Sequence, residues 1–117
     1  MDHHDETTHA QRSEQIRKLN DQLRTTGLGG KLMLTRAVAC VSAATLEQVV
    51  KAVRAFDTFT PANDPWGEHD FGKVEVEGAT YFWKIDAYDI NLEYGSSDPA
   101  DETITRRVMT VMTAVDL

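Results

Sequence analysis

The predicted fold depends on the stretch Gly72-Lys-Val-Glu-Val-Glu-Gly-Ala-Thr-Tyr-Phe-Trp-Lys-Ile-Asp86. Apolar and polar residues alternate on both sides of its central glycine, which is typical of two half-buried strands joined by a tight turn. A two-residue turn at Gly78 and Ala79 would place Val74 opposite Trp83. This register predicts one buried apolar face, formed by Val74, Val76, Tyr81, Trp83 and Ile85.

A third strand is predicted directly after this hairpin. Ile90, Leu92 and Tyr94 alternate with polar residues and would continue the buried face. The opposite face of the sheet would then be exposed and acidic. Its predicted members are Glu75, Glu77, Phe82, Lys84, Asp86, Asn91 and Glu93.

The N-terminal part of the chain predicts a helix, a strand and a second helix. Thr8 and Gln11 have the spacing of a capping box, and Gly27 provides a helix end. Residues 31–38 have the composition of a strand, and Ser42 or Thr45 would cap the second helix. The apolar positions at helical spacing are Ile16, Leu19 and Leu23 in the first helix, and Leu46, Val49, Val50, Val53 and Phe56 in the second.

A last helix is predicted at the C-terminal end of the chain. Asp98 is a suitable N-cap, and Pro99 fits the first helical position. The buried side of this helix would consist of Ile104, Val108, Val111, Met112 and Val115.

The complete order is helix, strand, helix, three strands and helix. We therefore predict an α+β fold, with a single antiparallel or mixed sheet and the helices packed on one face. The chain has 117 residues, of which 41% are hydrophobic, and this suffices for one domain. Residues 8–117 are assigned to that domain and the polar residues 1–7 to a disordered tail.

Acidic side chains are concentrated between Asp57 and Glu102. This stretch contains twelve acidic residues against Lys73 and Lys84, a net charge of −10 in a chain whose total is −7. Such segregation favours a basic partner and disfavours direct contact with nucleic acid. We therefore expect the partner to be a basic protein surface.

The loop between Thr60 and Gly72 has the residues best suited to chemistry. Asp64-Pro-Trp-Gly67 fits a type I turn, and Glu68, His69 and Asp70 follow it. Carboxylates beside a histidine can act as general acid and base or bind a metal ion. However, the spacing matches neither a calcium loop nor a zinc site, and in an extended segment His69 would point away from its two neighbours. The pattern favours a turn-stabilising loop and predicts no metal or other cofactor.

The compartment is predicted from the cysteine count and the N-terminus. Cys40 is the only cysteine, so no intramolecular disulfide can form, and its apolar neighbours predict a buried thiol. The first residues lack the pattern of a signal peptide, and no apolar run is long enough to cross a membrane. These features predict a cytoplasmic protein without membrane contact.

Several segments resemble a family of small bacterial proteins of unknown function, often found on plasmids and other mobile elements. They are Arg17-Lys-Leu-Asn-Asp-Gln-Leu-Arg-Thr-Thr-Gly27, Ala55-Phe-Asp-Thr-Phe-Thr-Pro-Ala-Asn-Asp-Pro-Trp-Gly-Glu-His-Asp-Phe-Gly72, Tyr81-Phe-Trp-Lys-Ile-Asp86 and Tyr94-Gly-Ser-Ser-Asp-Pro-Ala-Asp101. The resemblance covers about Ile16 to Val111 and implies no established activity, cofactor or catalytic residue. It implies a genomic setting in which small acidic proteins often counteract host defence.

Three functions are compatible with these observations. The first is a non-enzymatic binding protein that inhibits a CRISPR or restriction complex by imitating the charge of nucleic acid. The second is a small metal-dependent or acid/base hydrolase that uses Glu68, His69 and Asp70. The third is a structural or regulatory subunit whose acidic face only maintains solubility. The predicted partner-binding residues are Glu75, Glu77, Asp86 and Glu93 on the sheet, and Asp64, Trp66, Glu68, His69 and Asp70 in the loop.

Overall fold

The structure, a computed structural model, describes residues 8–117. The tail predicted at 1–7 lies outside the described residues. The helices are α1 (His9–Thr26), α2 (Arg36–Ala39) and α3 (Ala43–Ala55), and the strands are β1 (Gly30–Leu34), β2 (Phe71–Val76), β3 (Ala79–Tyr88) and β4 (Arg106–Thr113). A short 3₁₀ helix, Ala114–Asp116, follows β4.

The four strands form one mixed sheet in the order β1-β4-β3-β2. β1 is parallel to β4, whereas the β2–β3 and β3–β4 pairs are antiparallel. The predicted α+β class, with a mixed sheet, is therefore confirmed.

The β2–β3 hairpin forms as expected, but its turn lies one residue earlier. Glu77 and Gly78 are the two turn residues and have φ values of 54° and 79°, the positive angles of a type I′ turn. Val74 therefore pairs with Tyr81, and Gly72 pairs with Trp83. Each partner is shifted by two positions from the predicted register. An even shift leaves every side chain on its predicted face.

The core lies between the helices and one face of the sheet. Leu23 of α1, Val38 of α2, and Val49 and Val53 of α3 pack against this face. Trp83 is at its centre and has no exposed surface. The sheet residues of the same cluster are Val74, Val76, Tyr81, Trp83, Ile85, Met109 and Val111.

The predicted C-terminal helix is wrong, because the segment from Arg106 to Thr113 forms β4 in the interior of the sheet. Its buried positions recur at every second residue at Arg107, Met109 and Val111, which is a strand period. Pairing with a strand on each side therefore overrides the helical start signal. Asp98 instead forms an ion pair with Arg12 at 2.6 Å and accepts a hydrogen bond from the backbone of the following turn.

Two further strand predictions are corrected. Residues 90–94 form a turn, because the Asp89 carboxylate accepts hydrogen bonds from the backbone N–H groups of Asn91 and Glu93. Ile90, Leu92 and Tyr94 are accordingly exposed. The strand predicted over residues 31–38 ends at Leu34 and is followed by the short helix α2. Cys40, after this helix, is exposed and not buried.

The two N-terminal helix predictions are confirmed. Thr8 and Gln11 form the predicted capping box, and Gly27 ends α1 in the left-handed conformation. Ser42, not Thr45, caps α3, since its side chain accepts a hydrogen bond from the Thr45 backbone. No helix within residues 8–117 combines the length and the apolar character needed to cross a membrane.

Gly72 offers a test of the corrected register. A Cβ atom at this position would lie 2.5 Å from Trp83 Nε1, so Gly72→Ala would push against a ring that is enclosed on all sides. We expect a loss of about 1–3 kcal/mol in the free energy of unfolding, measured by denaturant titration.

Gly95→Ala is the matched control, because a Cβ atom at Gly95 would meet nothing within 4 Å. We expect its effect to stay within about 0.5 kcal/mol. Equal effects of the two substitutions would contradict the close approach of Gly72 to Trp83.

Candidate functional site

The predicted loop is built around Asp64. The Gly67 N–H donates to the Asp64 carbonyl at 3.1 Å, so the predicted turn is present. The Asp64 carboxylate is buried and accepts hydrogen bonds from the backbone N–H groups of Glu68 and His69, each at 3.2 Å. One side chain therefore fixes the course of the loop that carries the candidate residues.

His69 anchors this loop to α1 and to an aromatic ring. Its Nδ1 lies 2.8 Å from Asp21 Oδ1, and its Nε2 lies 3.6 Å from Asp64 Oδ2. The imidazole stacks on Phe59 with ring centroids 3.6 Å apart. His69 has φ 53°, so the segment is not extended as the sequence argument assumed. Both ring nitrogens face carboxylates of the protein, which is an arrangement suited to holding the loop in place.

Arg24 connects this loop to the core. Its side chain is only 4% exposed and forms an ion pair with Asp21 at 2.9 Å. Its Nη1 donates to the Phe56 carbonyl at 2.7 Å, just beyond the end of α3. The guanidinium also lies over the rings of Phe59 and Trp83, at 5.3 and 5.2 Å. Arg24 therefore ties α1, α3, the sheet and the loop together.

A second buried contact holds the loop through its backbone. The Asn20 amide donates to the Glu68 carbonyl at 2.9 Å and accepts from Arg107 Nε at 2.8 Å. Burial lowers the pKa of Arg107, against the opposing effect of the carboxylates of Glu102 and Glu68. Asn20 and Arg107 therefore link the loop to β4 through buried polar groups.

The residues that hold the site were not predicted from the sequence; they are Asn20, Asp21, Arg24, Phe59 and Arg107. The available signal was in α1. Asn20 and Arg24 occupy the same helical stripe as Ile16 and Leu23, and polar residues on a buried stripe require partners.

Glu68 and Asp70 lie close enough to each other and to Asp64 for their charges to repel, and Asp86 also repels Asp70. We call these four carboxylates the acidic patch. Burial is the main cause of the raised pKa of Glu68, and the charges of Asp70 and Asp64 raise it further. Burial is also the main cause of the raised pKa of Asp70, with additional increases from Asp64 and Asp86. Within residues 8–117, Glu68 and Asp70 form no ion pair. Glu68 and Asp70 are therefore the two patch carboxylates without an ion pair among the described residues, whereas Asp86 pairs with Lys84 and the buried Asp64 lies beside His69.

The structure does not form the predicted acidic sheet face. The face of β2 and β3 that points away from the helices carries Lys73 and Lys84 as well as Glu75 and Asp86, and Lys84 is 3.3 Å from Asp86. The Glu77 carboxylate accepts a hydrogen bond from Thr45, and Glu93 lies in the loop after β3, outside the sheet. Of the four acidic residues predicted for the sheet face, only Asp86 lies near a carboxylate of the loop, that of Asp70.

Trp66 lies in the same loop as Asp64, Glu68 and Asp70 and is 76% exposed. Its loop is nevertheless held firmly, because Arg17 Nη1 donates to the Gly67 carbonyl at 2.9 Å. Aromatic residues with this exposure are enriched at protein interfaces. The loop therefore offers a partner an aromatic side chain and a group of carboxylates on one ordered support.

Glu68, His69 and Asp70 are the residues whose types could bind a metal ion in this loop. In the described part of the chain, no three His, Cys, Asp or Glu side chains are arranged to hold a metal ion. His69 instead contacts Asp21 and Asp64, which places its imidazole between two fixed carboxylates. The arrangement can attract and orient cationic groups.

Comparison with known proteins gives a family but no characterised relative. A search of curated proteins and a search of solved structures each find no match. Residues 34–116 match the family described as "Protein of unknown function (DUF3768)", and since the match spans more than half of the sequence, the chain belongs to this family.

Proposed function

We propose that this chain is a non-enzymatic binding protein that recognises a basic protein surface through the acidic patch and Trp66. The observation that carries this proposal is that Glu68 and Asp70, which form no ion pair within residues 8–117, share one loop with the exposed Trp66. The proposal moves the binding surface from the predicted sheet face to the loop.

Electrostatics favour a cationic partner at this patch. The raised pKa values of Glu68 and Asp70 mean that their ionisation in the folded protein is opposed by burial and by neighbouring negative charges. A Lys or Arg side chain of a partner would offset the repulsion between these carboxylates. Such complementarity mainly increases the association rate and the specificity of a complex.

The rigidity of the loop also supports binding. Asp64, His69 and Asn20 hold its backbone through hydrogen bonds and one aromatic stack. A loop that is ordered before binding loses less conformational entropy on association. The contacts to α1 and to the core therefore favour recognition by a preformed surface.

The partner we propose is a host-defence complex that handles nucleic acid, such as a CRISPR or restriction complex. Such complexes have basic surfaces for phosphates, and closely spaced carboxylates offer the same sign of charge. The family resemblance to proteins of mobile elements supports this choice. In this proposal the protein acts in the cytoplasm and does not itself contact nucleic acid.

A hydrolase is the second candidate, and the raised pKa values of Glu68 and Asp70 favour it. A carboxyl group with a raised pKa is better suited to donate a proton near neutral pH. However, His69 contacts Asp21 and Asp64 and stacks on Phe59. These contacts favour an anchoring role for the imidazole over an acid/base role.

Charge reversal tests the binding proposal. Glu68→Lys with Asp70→Lys should weaken binding to a purified CRISPR surveillance complex or restriction endonuclease by at least about tenfold, mainly through slower association. The affinity of the unmodified protein should also fall as salt is added, because the Debye length is about 10 Å at 0.1 M and about 3 Å at 1 M. Surface plasmon resonance at several salt concentrations measures both effects.

The control pair is Glu75→Lys with Glu93→Lys, which changes the net charge equally and lies outside the acidic patch. We expect this pair to change the affinity by less than about threefold, since exposed charges outside the binding surface contribute little. Equal weakening by the two pairs would show that only net charge matters. Trp66→Ser should weaken binding without removing its salt dependence.

Stability as a function of pH tests the electrostatics without any partner. Between the ordinary pKa values, 4.5 for Glu68 and 3.8 for Asp70, and their raised folded values, the folded state binds more protons than the unfolded state. Stability therefore falls as the pH rises through this range. Glu68→Gln with Asp70→Asn should stabilise the protein near neutral pH, by less than about 1 kcal/mol because both groups are partly screened by solvent.

Denaturant titrations across this pH range measure the effect. The gain should shrink as the pH is lowered toward 3.8, the ordinary value for Asp70. Glu75→Gln with Glu93→Gln is the matched control for the loss of two charges. A double substitution at Glu68 and Asp70 that destabilises the protein at neutral pH would contradict the proposed repulsion.

His69→Ala separates the two candidate functions. If His69 is an anchor, its removal should lower the free energy of unfolding by about 1–3 kcal/mol, because an aromatic stack and a hydrogen bond are lost. The measurements are denaturant unfolding and metal analysis of the purified protein. Unchanged stability, together with a stoichiometric metal ion that this substitution abolishes, would favour the hydrolase.

A further inference from the structure

A groove of about 620 Å³ is lined by basic residues, in contrast to the acidic patch. It is at the end of the sheet where the parallel strands β1 and β4 both begin, and α1 and the loop after β3 form its sides. It adjoins a smaller depression of about 440 Å³ that extends along β1 and β4, and both are lined by Lys31, Leu92 and Val108. This size is within the range of small-molecule sites.

The groove has a basic end in a chain that is acidic overall. Lys31, Arg106 and Arg107 line it, with Glu102 as the one carboxylate among its lining residues. Lys31 is paired with Val108 in the sheet, so it is a diagonal neighbour of Arg106 on the same face. Lys31 and Arg106 are both exposed, and within residues 8–117 neither forms an ion pair.

Arg107 lines the groove from the other face of the sheet. Its side chain is only 3% exposed, and it donates from Nε to Asn20 and from Nη2 to the Pro99 carbonyl. Because side chains alternate along a strand, Arg107 lies on the face packed by the helices, and Arg106 and Lys31 lie on the opposite face. Arg107 therefore adds positive charge near the groove, whereas Lys31 and Arg106 are the cations that a ligand can contact.

The groove also has apolar surface, beside the polar Gln22 and Thr105. Ile90 and Leu92 are 57% and 46% exposed, although they are large aliphatic side chains, and Leu19 and Val108 lie nearby in the groove. Met33 and Tyr88 continue the apolar lining along the adjoining depression. A ligand that occupied the whole length would therefore bury an apolar chain beyond its charged end.

We propose that this groove binds a small amphipathic anion, a carboxylate with an unbranched apolar chain of the fatty-acid class. The carboxylate is held by Lys31 and Arg106, and the chain lies along Leu92 and Val108 toward Met33. The charge and the shape of the groove both support this occupant. This site shares no residue with the acidic patch, and the proposal does not rest on the proposed binding of a basic protein.

The test is a titration of the full chain with sodium octanoate, followed by ¹H–¹⁵N NMR. We expect saturable shifts confined to residues near 29–33, 88–92 and 105–110. Octanol lacks the charge and acetate lacks the chain, so each should bind at least about tenfold more weakly. Octanol binding as tight as octanoate, shifts located elsewhere, or no saturation below about 10 mM would overturn the proposal.

Substitutions identify the two ends of the site. Lys31→Gln with Arg106→Gln should weaken octanoate binding by about tenfold or more, since charge-assisted hydrogen bonds are lost. Lys73→Gln with Lys84→Gln is the matched control, because it removes two charges from the same face of the sheet outside the groove. Equal effects of the two pairs would overturn the assigned position.

Leu92→Asn probes the apolar wall. Leu92 has φ 59°, and asparagine tolerates this left-handed conformation better than most residues, so the fold should be retained. Octanoate should bind this variant several-fold more weakly, whereas binding of acetate should be unchanged. Unchanged octanoate affinity in the folded variant would overturn the placement of the chain.

Discussion

The buried guanidinium of Arg24 is the interaction on which the arrangement of helices, sheet and loop depends. It binds backbone carbonyls at the end of α3, pairs with Asp21 of α1, and covers the rings of Phe59 and Trp83. A charge with so little exposed surface is stable only when hydrogen bonds and an opposite charge surround it. Asp21 also binds His69. The carboxylate that pairs with the buried Arg24 therefore also positions the loop of the candidate site.

Local signals predicted the parts of the fold that local interactions determine. The capping box of α1 and the apolar stripe of α3 appear where the sequence placed them, and the alternation around Gly78 gave the correct faces of the hairpin. The exact turn could not be deduced, because Glu77-Gly78 and Gly78-Ala79 both offer a glycine. The two alternatives differ by an even shift, so each side chain stays on the same face of the sheet. The buried residues of the hairpin were therefore predicted correctly although the register was wrong.

Nonlocal pairing explains the failure at the C-terminus. Asp98 and Pro99 are genuine helix-start signals, yet the segment that follows fills the space between β1 and β3, where Val111 and Met109 complete the core. Strand pairing with two neighbours satisfies the backbone on both sides and buries every second side chain, and no window of sequence contains that information. The same limitation applies to the site. The loop was identified from its own residues, but its supports Asn20, Arg24 and Arg107 come from distant elements.

Arg107 makes the two proposed sites electrostatically dependent on each other. Its Nε binds Asn20, which also holds the Glu68 backbone, and its charge acts on the Glu68 carboxylate of the acidic patch. Arg107 also lines the groove at the start of β4. An anion bound there by Lys31 and Arg106 would lie near the positive charge that partly offsets Glu68, so the patch would become more negative in effect. The acidic patch and the groove are therefore coupled electrostatically, although their residues are far apart in the sequence, because the buried Arg107 lies near both.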